Sequence, residues 1–297
     1  YSSIENIGLI LAGIGLAMIF RFYDMPTLAA LALIASLYHC INHAYFKSLL
    51  FLATGHVLHA TKERNLGKLG GLIHTMPWVA GLSLVGVLAI ASLPPLNGFA
   101  SEWLLLQAFL FSPGLPNPYL AMLVPISAAV VALAAALAAY VMVKFYGVIF
   151  LGQPREEKLA QAKDAGLWER IGLAWLALGC LLLGIVPGYV IGQLDHIALM
   201  TVGTTLGQTA TQHGWLFLTP VAPERASYSP AIILAVVVAA VLLTILLAKM
   251  VYRGKLRRAP AWDCGYPLQT PRMQDTATGF GQPIRQIFAP AYLIQRE

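Results

Sequence analysis

Charge is scarce in this chain. Of its 297 residues only 11% are Asp, Glu, Lys or Arg, less than half the roughly 25% of a soluble domain. With 58% hydrophobic residues and a mean hydropathy of +0.72, it reads as an integral membrane protein. Cysteine is scarce too. Cys40, Cys180 and Cys264 lie far apart with no CxxC pair, so neither a disulfide framework nor a cysteine-held metal or iron–sulfur centre is supported. GxxxxGK[ST] and GxGxxG are both missing, which leaves no phosphate-cradling loop. Redox or nucleotide chemistry, and a cofactor of this chain's own, are therefore not expected. The formal net charge of +6 does not point to nucleic acid, because the basic residues flank apolar segments as topology signals do. The partner this composition names is the lipid bilayer.

The first residue is Tyr, and the chain enters an apolar run at once. No basic segment precedes that run and no small-residue cleavage site follows it, so it does not resemble a signal peptide. The expectation is the C-terminal part of something longer.

A membrane span needs about 20 apolar residues. Six segments qualify: 4–20, 27–58, 77–112, 119–150, 167–193 and 230–252. Between them the positive residues sort as 16 on one side and 2, Arg21 and Arg225, on the other, with Lys47 left inside a span. The positive-inside rule then puts both chain ends in the cytoplasm. The polar stretch 153–169 reads as a cytoplasmic amphipathic connection. The stretch 196–229 reads as a long outside loop whose His196 and His213 are solvated. The tail from 253 on is too interrupted by Pro and Gly for a domain. Its basic stem suits an anionic inner leaflet or a cytoplasmic partner. Cys264, in WDCGY, has no second cysteine to make a metal site.

Two places in these spans carry chemistry. In YHCINHAYFKSLLF, His39, His43 and Lys47 stand four residues apart. That spacing returns to one helix face, a ladder climbing ~6 Å per step. Ionisable side chains inside a membrane are expensive and usually mark ion paths or proton relays; the plainer reading is helix–helix hydrogen bonding. In the 77–112 segment, Pro94, Pro95, Asn97 and Gly98 interrupt an apolar stretch. Two successive prolines forbid a continuous helix. A broken helix at membrane depth is tolerated where it is buried in protein or lines a wet cavity, and such breaks commonly build transport sites. Glu102 follows the break at the start of the second half. Lys144, seven apolar residues short of its span's polar end, fits either a place in a proton path or a side chain snorkelling to the interface. Glu5, near the start of the first span, fits proton uptake or helix-start capping.

Four stretches, SSIENIG, HCINHAYFKSLLFLATG, LPPLNGFASEW and WDCGYPLQTPRMQDTATGFGQPIRQIF, resemble the antiporter-like membrane subunits of complex I and its relatives. The WDCG tail is most similar to the hydrogenase-4 and formate hydrogenlyase branch. The resemblance runs from residue 1 to at least Phe288. It implies an all-α polytopic membrane helix bundle, here about six transmembrane segments, one of them broken. Residues 1–152 would be the second of two inverted repeats, holding a proton half-channel. Residues 153–252 would be trailing helices with an outside loop, and 253–297 a cytoplasmic tail. It also implies that His39, His43 and Lys47 join a central hydrophilic axis and that Glu102 is the ionisable residue of the broken helix.

The function so implied is proton translocation in the inner membrane, coupled to electron transfer in partner subunits of a hydrogenase or NADH-dehydrogenase-like complex. Iron–sulfur clusters and a nickel–iron centre are expected in those partners. The partners themselves would be other membrane subunits and a cytoplasmic electron-transfer arm. Two unit charges ~6 Å apart at an effective dielectric near 20 interact by ~3 kcal/mol, about two pKa units, so one titration can drive the next. Two alternatives stand beside it: a Na⁺/H⁺ antiporter subunit of the Mrp type, and a non-conducting membrane scaffold.

Overall fold

The computed structural model describes residues 1–110, 114–206, 218, 227–252, 262, 264–266 and 268–291. Nine helices carry the described chain: α1 (Ser2–Phe22), α2 (Pro26–Thr61), α3 (Pro77–Ile90), α4 (Asn97–Leu110), α5 (Pro118–Phe150), α6 (Leu167–Ile185), α7 (Pro187–Val202), α8 (Pro230–Val251) and α9 (Ala277–Ile287). Among the described residues the only β pairing is an isolated bridge between Leu218 and Tyr228. Five helices, α1, α2, α5, α6 and α8, are long and apolar enough to cross a membrane, and α3 is a shorter apolar helix. The all-α membrane bundle with a broken segment is thus what the chain forms, with α3 and α4 as the two halves.

Two expectations need correction. The span 167–193 is not continuous: α6 stops at Ile185 and α7 restarts at Pro187, because a proline locks φ and has no N–H to continue the ladder. α7 then runs to Val202, so the loop begins seven residues later than 196 and His196 sits, exposed, on a helix. His213 lies outside the described residues. The connection 153–169 holds one 3₁₀ turn, Glu157–Gln161, before α6 begins.

The chain divides into two compact units. The first comprises Tyr1–Ser48, Leu88–Ala139 and Leu176–Pro260. Its core gathers Phe20, Leu31, Ile34, Tyr38, Leu104 and Leu105 with Ile191 and Ala198. In lipid, helices associate by close packing and not by apolar burial alone, so small residues matter at the contacts. Gly13 of α1 shows this: a Cβ there would overlap Ser36 and come within 2.8 Å of Leu105.

The second unit comprises Leu49–Val87, Tyr140–Trp175 and Ala261–Glu297. Here helix ends are satisfied by remote segments, as buried termini demand. The carbonyls of Ile149, Phe150 and Leu151 accept from the N–H groups of Leu72, Ile73 and Gly71 at 3.4, 2.9 and 2.9 Å. Asp164 caps the start of α3 by accepting from Trp78 and Val79 N–H at 2.9 and 3.3 Å. Arg170 stacks 5.3 Å from the Trp78 ring centre. Among its described residues the tail forms α9 and bonds back to residues 140 and 153. The Gln274 amide brackets the Gln153 backbone, accepting from its N–H and donating to its carbonyl, each at 2.9 Å. Phe280 of α9 packs on Tyr140, whose hydroxyl donates to the Phe280 carbonyl. The basic stem at 253–260 lies outside the described residues.

Candidate functional site

The polar face of α2 lies inside the first unit, between the start of α1 and the start of α4. His39 is 1% exposed. Its Nε2 meets Asn6 Oδ1 at 3.0 Å and its Nδ1 meets Ser101 Oγ at 2.9 Å. Asn6 donates through Nδ2 to the Ser2 carbonyl at 2.8 Å, and Lys47 Nζ donates to Ser2 Oγ at 2.5 Å. Ser2, Glu5 and Asn6 fall on one face of α1 by their i, i+3, i+4 spacing, so the first turns of α1 supply a polar strip to match the ladder. Hydrogen bonds therefore link Asn6, His39 and Ser101 in one line, and Lys47 and Asn6 both bond to Ser2, Lys47 at its hydroxyl and Asn6 at its main-chain carbonyl.

The far end of that line is the broken helix. α3 ends at Ile90 and α4 begins at Asn97, with a cis Pro94–Pro95 peptide between them. Gly98 makes the two halves approach closely, since a Cβ there would run into the Ala89 carbonyl. The start of α4 is tied to the ladder helix by a reciprocal pair. Asn42 donates to the Asn97 carbonyl at 2.8 Å, and Asn97 donates to the Asn42 carbonyl at 3.3 Å. The Gly98 N–H, one of the main-chain groups freed by the break, donates to the Asn97 side-chain oxygen at 3.0 Å, as burial in lipid requires. Asn42, Asn97 and Ser101 are all fully buried.

This arrangement lets His39 hold or release a proton without moving heavy atoms. Asn6 points its amide nitrogen at the Ser2 carbonyl, so its oxygen faces the ring and accepts from Nε2–H. In the neutral ring Nδ1 accepts from the Ser101 hydroxyl. Ser101 also lies 3.3 and 3.2 Å from the Asn97 and Gly98 carbonyls. When its hydrogen turns to either carbonyl, its oxygen is free to accept from Nδ1–H of the imidazolium. Both protonation states keep two hydrogen bonds, and the change is one hydroxyl rotation.

The other expected residues divide. His43 is half-buried, its ring 5.5 Å from Phe46, and its Nε2 is buried with no hydrogen bond. A buried unpaired nitrogen of this kind is a rare and costly feature. Lys47 acts electrostatically on both His43 and Glu5, although no ion pair among the described residues joins Glu5 to Lys47. Glu102, 9% exposed in α4, faces Ser92 across the break without a well-formed hydrogen bond and is also influenced by Glu5. Pro94 and Pro95 form the interruption, and Asn97 and Gly98 begin α4. Lys144 belongs to the second unit. It lines a cavity of about 220 Å³ with Arg155 and Asp275, and its Nζ lies 3.2 Å from where a Cβ on Gly281 would be. Sequence reasoning missed Ser2, Asn6, Asn42 and Ser101. Their signal was present as neutral polar residues inside apolar runs.

Residues 1–124 match the family described as NADH:quinone oxidoreductase/Mrp antiporter, transmembrane. Over 300 residues the chain is 34% identical to formate hydrogenlyase subunit 3 of Escherichia coli (strain K12), an alignment covering 100% of this chain and 46% of that protein. It is 31% identical to hydrogenase-4 component B of the same organism, covering 100% of this chain and 44% of that one. Among solved structures, the membrane-bound sulfane sulfur reductase, an archaeal respiratory membrane complex, superposes with a TM-score of 0.65 at 23% identity, covering 98% of this chain and 47% of the matched one. The chain thus spans just under half the length of these relatives. The match to the NADH:quinone oxidoreductase/Mrp antiporter membrane family lies in residues 1–124, the part of the chain that holds α1, α2, α3 and α4.

Proposed function

We propose that this chain is a proton-translocating membrane part of a respiratory oxidoreductase complex of the hydrogenase-4 and formate hydrogenlyase kind. The observation that carries the reading is the buried line Asn6–His39–Ser101 ending on the broken helix, with Lys47 and Asn6 meeting at Ser2. Residues 1–152 act as an antiporter-like repeat, 153–252 as trailing helices and 253–297 as a cytoplasmic tail. The chain sits in the inner membrane with both ends cytoplasmic, as the distribution of 16 basic residues against 2 supports. Electron transfer belongs to partner subunits bearing iron–sulfur clusters and a nickel–iron centre, in an arm on the cytoplasmic side. A change of charge at Glu102 or Lys47 shifts the proton affinity of the histidines between them, which is how coupling reaches this site. Glu5 serves proton uptake beside Lys47. Lys144 is a second-unit candidate for the same path.

The test uses vesicles holding the complete complex. Lys47→Ala or Glu102→Ala is expected to cut proton movement per electron by about a hundredfold, the lower end for a positioned proton-transfer group, while the complex stays assembled. Normal pumping in either variant would overturn the relay. The family's Mrp branch favours one second reading, a Na⁺/H⁺ exchanger; dependence of transport on Na⁺ at fixed pH would select it.

A further inference from the structure

α6 stops at a particular rung of its ladder. Val186 N–H still donates to the Leu182 carbonyl at 3.0 Å, and the next rung would run from residue 187 to the carbonyl of Leu183. Residue 187 is proline, which has no N–H, so the Leu183 carbonyl is left over. In a bundle surrounded by lipid such a group must find another donor. It takes the hydroxyl of Tyr38, a fully buried residue of α2 next to His39. In the following position Gly184 meets the backbone of the first break. A Cβ there would overlap the Pro95 carbonyl oxygen and stand 2.7 Å from the Leu96 carbonyl carbon and 2.8 Å from Asn97 N. No side chain fits between the two interruptions.

We infer that the α6–α7 interruption is a positioning device for the broken helix. Pro187 frees the Leu183 carbonyl, Tyr38 anchors it to the ladder helix, and Gly184 seats the Pro95–Asn97 segment so that Asn97 and Ser101 stay on Asn42 and His39. The functional consequence rests on His39 being a proton carrier. Tyr38 and Gly184 are positioning residues in this scheme, because the bonds among Lys47, Ser2, Asn6, His39 and Ser101 include neither. The sequence hides the device, since Leu183, Gly184 and Pro187 read as part of one apolar span.

The experiment compares Tyr38→Phe, Pro187→Ala and the double variant in the complete complex. Hydrogen exchange over residues 96–101 is measured alongside proton movement per electron. Tyr38→Phe leaves one buried carbonyl unpaired, so exchange is expected to rise and transport to fall by about tenfold. Adding Pro187→Ala restores an N–H for Leu183, and both readouts are expected to return to within about twofold of wild type, as for two changes acting on one shared bond. Gly184→Ala, which crowds the same seat without touching Tyr38, is expected to raise exchange over 96–101 as well. Unchanged exchange in both Tyr38→Phe and Gly184→Ala, or no recovery of exchange in the double variant, would overturn the device. Recovered exchange with transport still lost would put the Tyr38 hydroxyl in the proton path itself and overturn its positioning role. Exchange that rises and recovers while transport never changes, and while His39→Ala also transports normally, would instead strike the relay reading.

Discussion

α2 and α8 are both long membrane-type helices, yet they are buried to opposite degrees. The most apolar window of α2 is 56% buried, whereas that of α8 is not buried at all. In its first-unit part α2 carries His39, Asn42, His43 and Lys47 along its inner face. α8 carries no ionisable group before Lys249 in its last turn, and its Thr244 satisfies itself by donating to the Ala240 carbonyl at 2.8 Å. The less apolar helix lies inside because α1 and α4 bring Asn6, Ser2, Ser101 and Asn97 to meet its polar groups. The more apolar helix needs nothing from its neighbours and suits a lipid-facing place. In a bilayer the interior of a protein is where polar side chains find partners, and the outside is where their absence is required.

Three substitutions break or sharpen that contrast. The largest effect is expected from Val238→Lys, which puts a charge in the middle of α8. It should cost about 3 kcal/mol of membrane insertion, seen as a lower membrane-integrated fraction, whereas Lys47 is tolerated in α2 because Ser2 receives it. Asn6→Leu follows. It removes a matching partner from α1 and leaves the His39 Nε2–H unpaired, which should destabilise the bundle by about 2 kcal/mol, read as a lower midpoint of thermal unfolding of the purified complex. The smallest effect belongs to the surface pair of half-buried Glu63 and exposed Lys158, 2.9 Å apart. Hydrogen bonds from the Asn65 backbone, then Lys158, hold the Glu63 carboxyl down at about 2. Hydrogen bonds to Glu156 and Glu63 push Lys158 up. The depressed carboxyl contributes stability above its ordinary value of 4.5 and loses it as pH falls towards 2. The raised amine contributes below 10.5 and loses it as pH climbs past its folded value. Unfolding midpoints of wild type and Glu63→Gln should therefore differ by a small constant between about pH 5 and 10 and converge at the acid end. A difference that grows on acidification would contradict the assignment.

The ladder and the first break were readable because their signals are local: a spacing of four, and two prolines together. The ladder's partners were not. Asn6 and Ser101 stand 33 and 62 residues from His39, and neutral polar residues in a span announce no particular neighbour. The second break was missed because one proline at the end of an apolar run reads as a span's boundary as easily as its interior. The tail helix was missed because Gly279, Gly281 and Pro283 argue against helix. What overrides that propensity is a single face, Ala277, Phe280, Gly281 and Ile284, turned onto the second unit while the residues between are exposed.

The central claim is that His39, buried and hydrogen-bonded at both ring nitrogens, carries protons, and that the exposed His196 does not. Its most direct test is the number of protons moved per electron in vesicles of the complete complex carrying His39→Ala or, as the exposed counterpart, His196→Ala. Loss of nearly all proton movement in the first with a wild-type ratio in the second is the predicted result. Equal ratios in the two variants would contradict it.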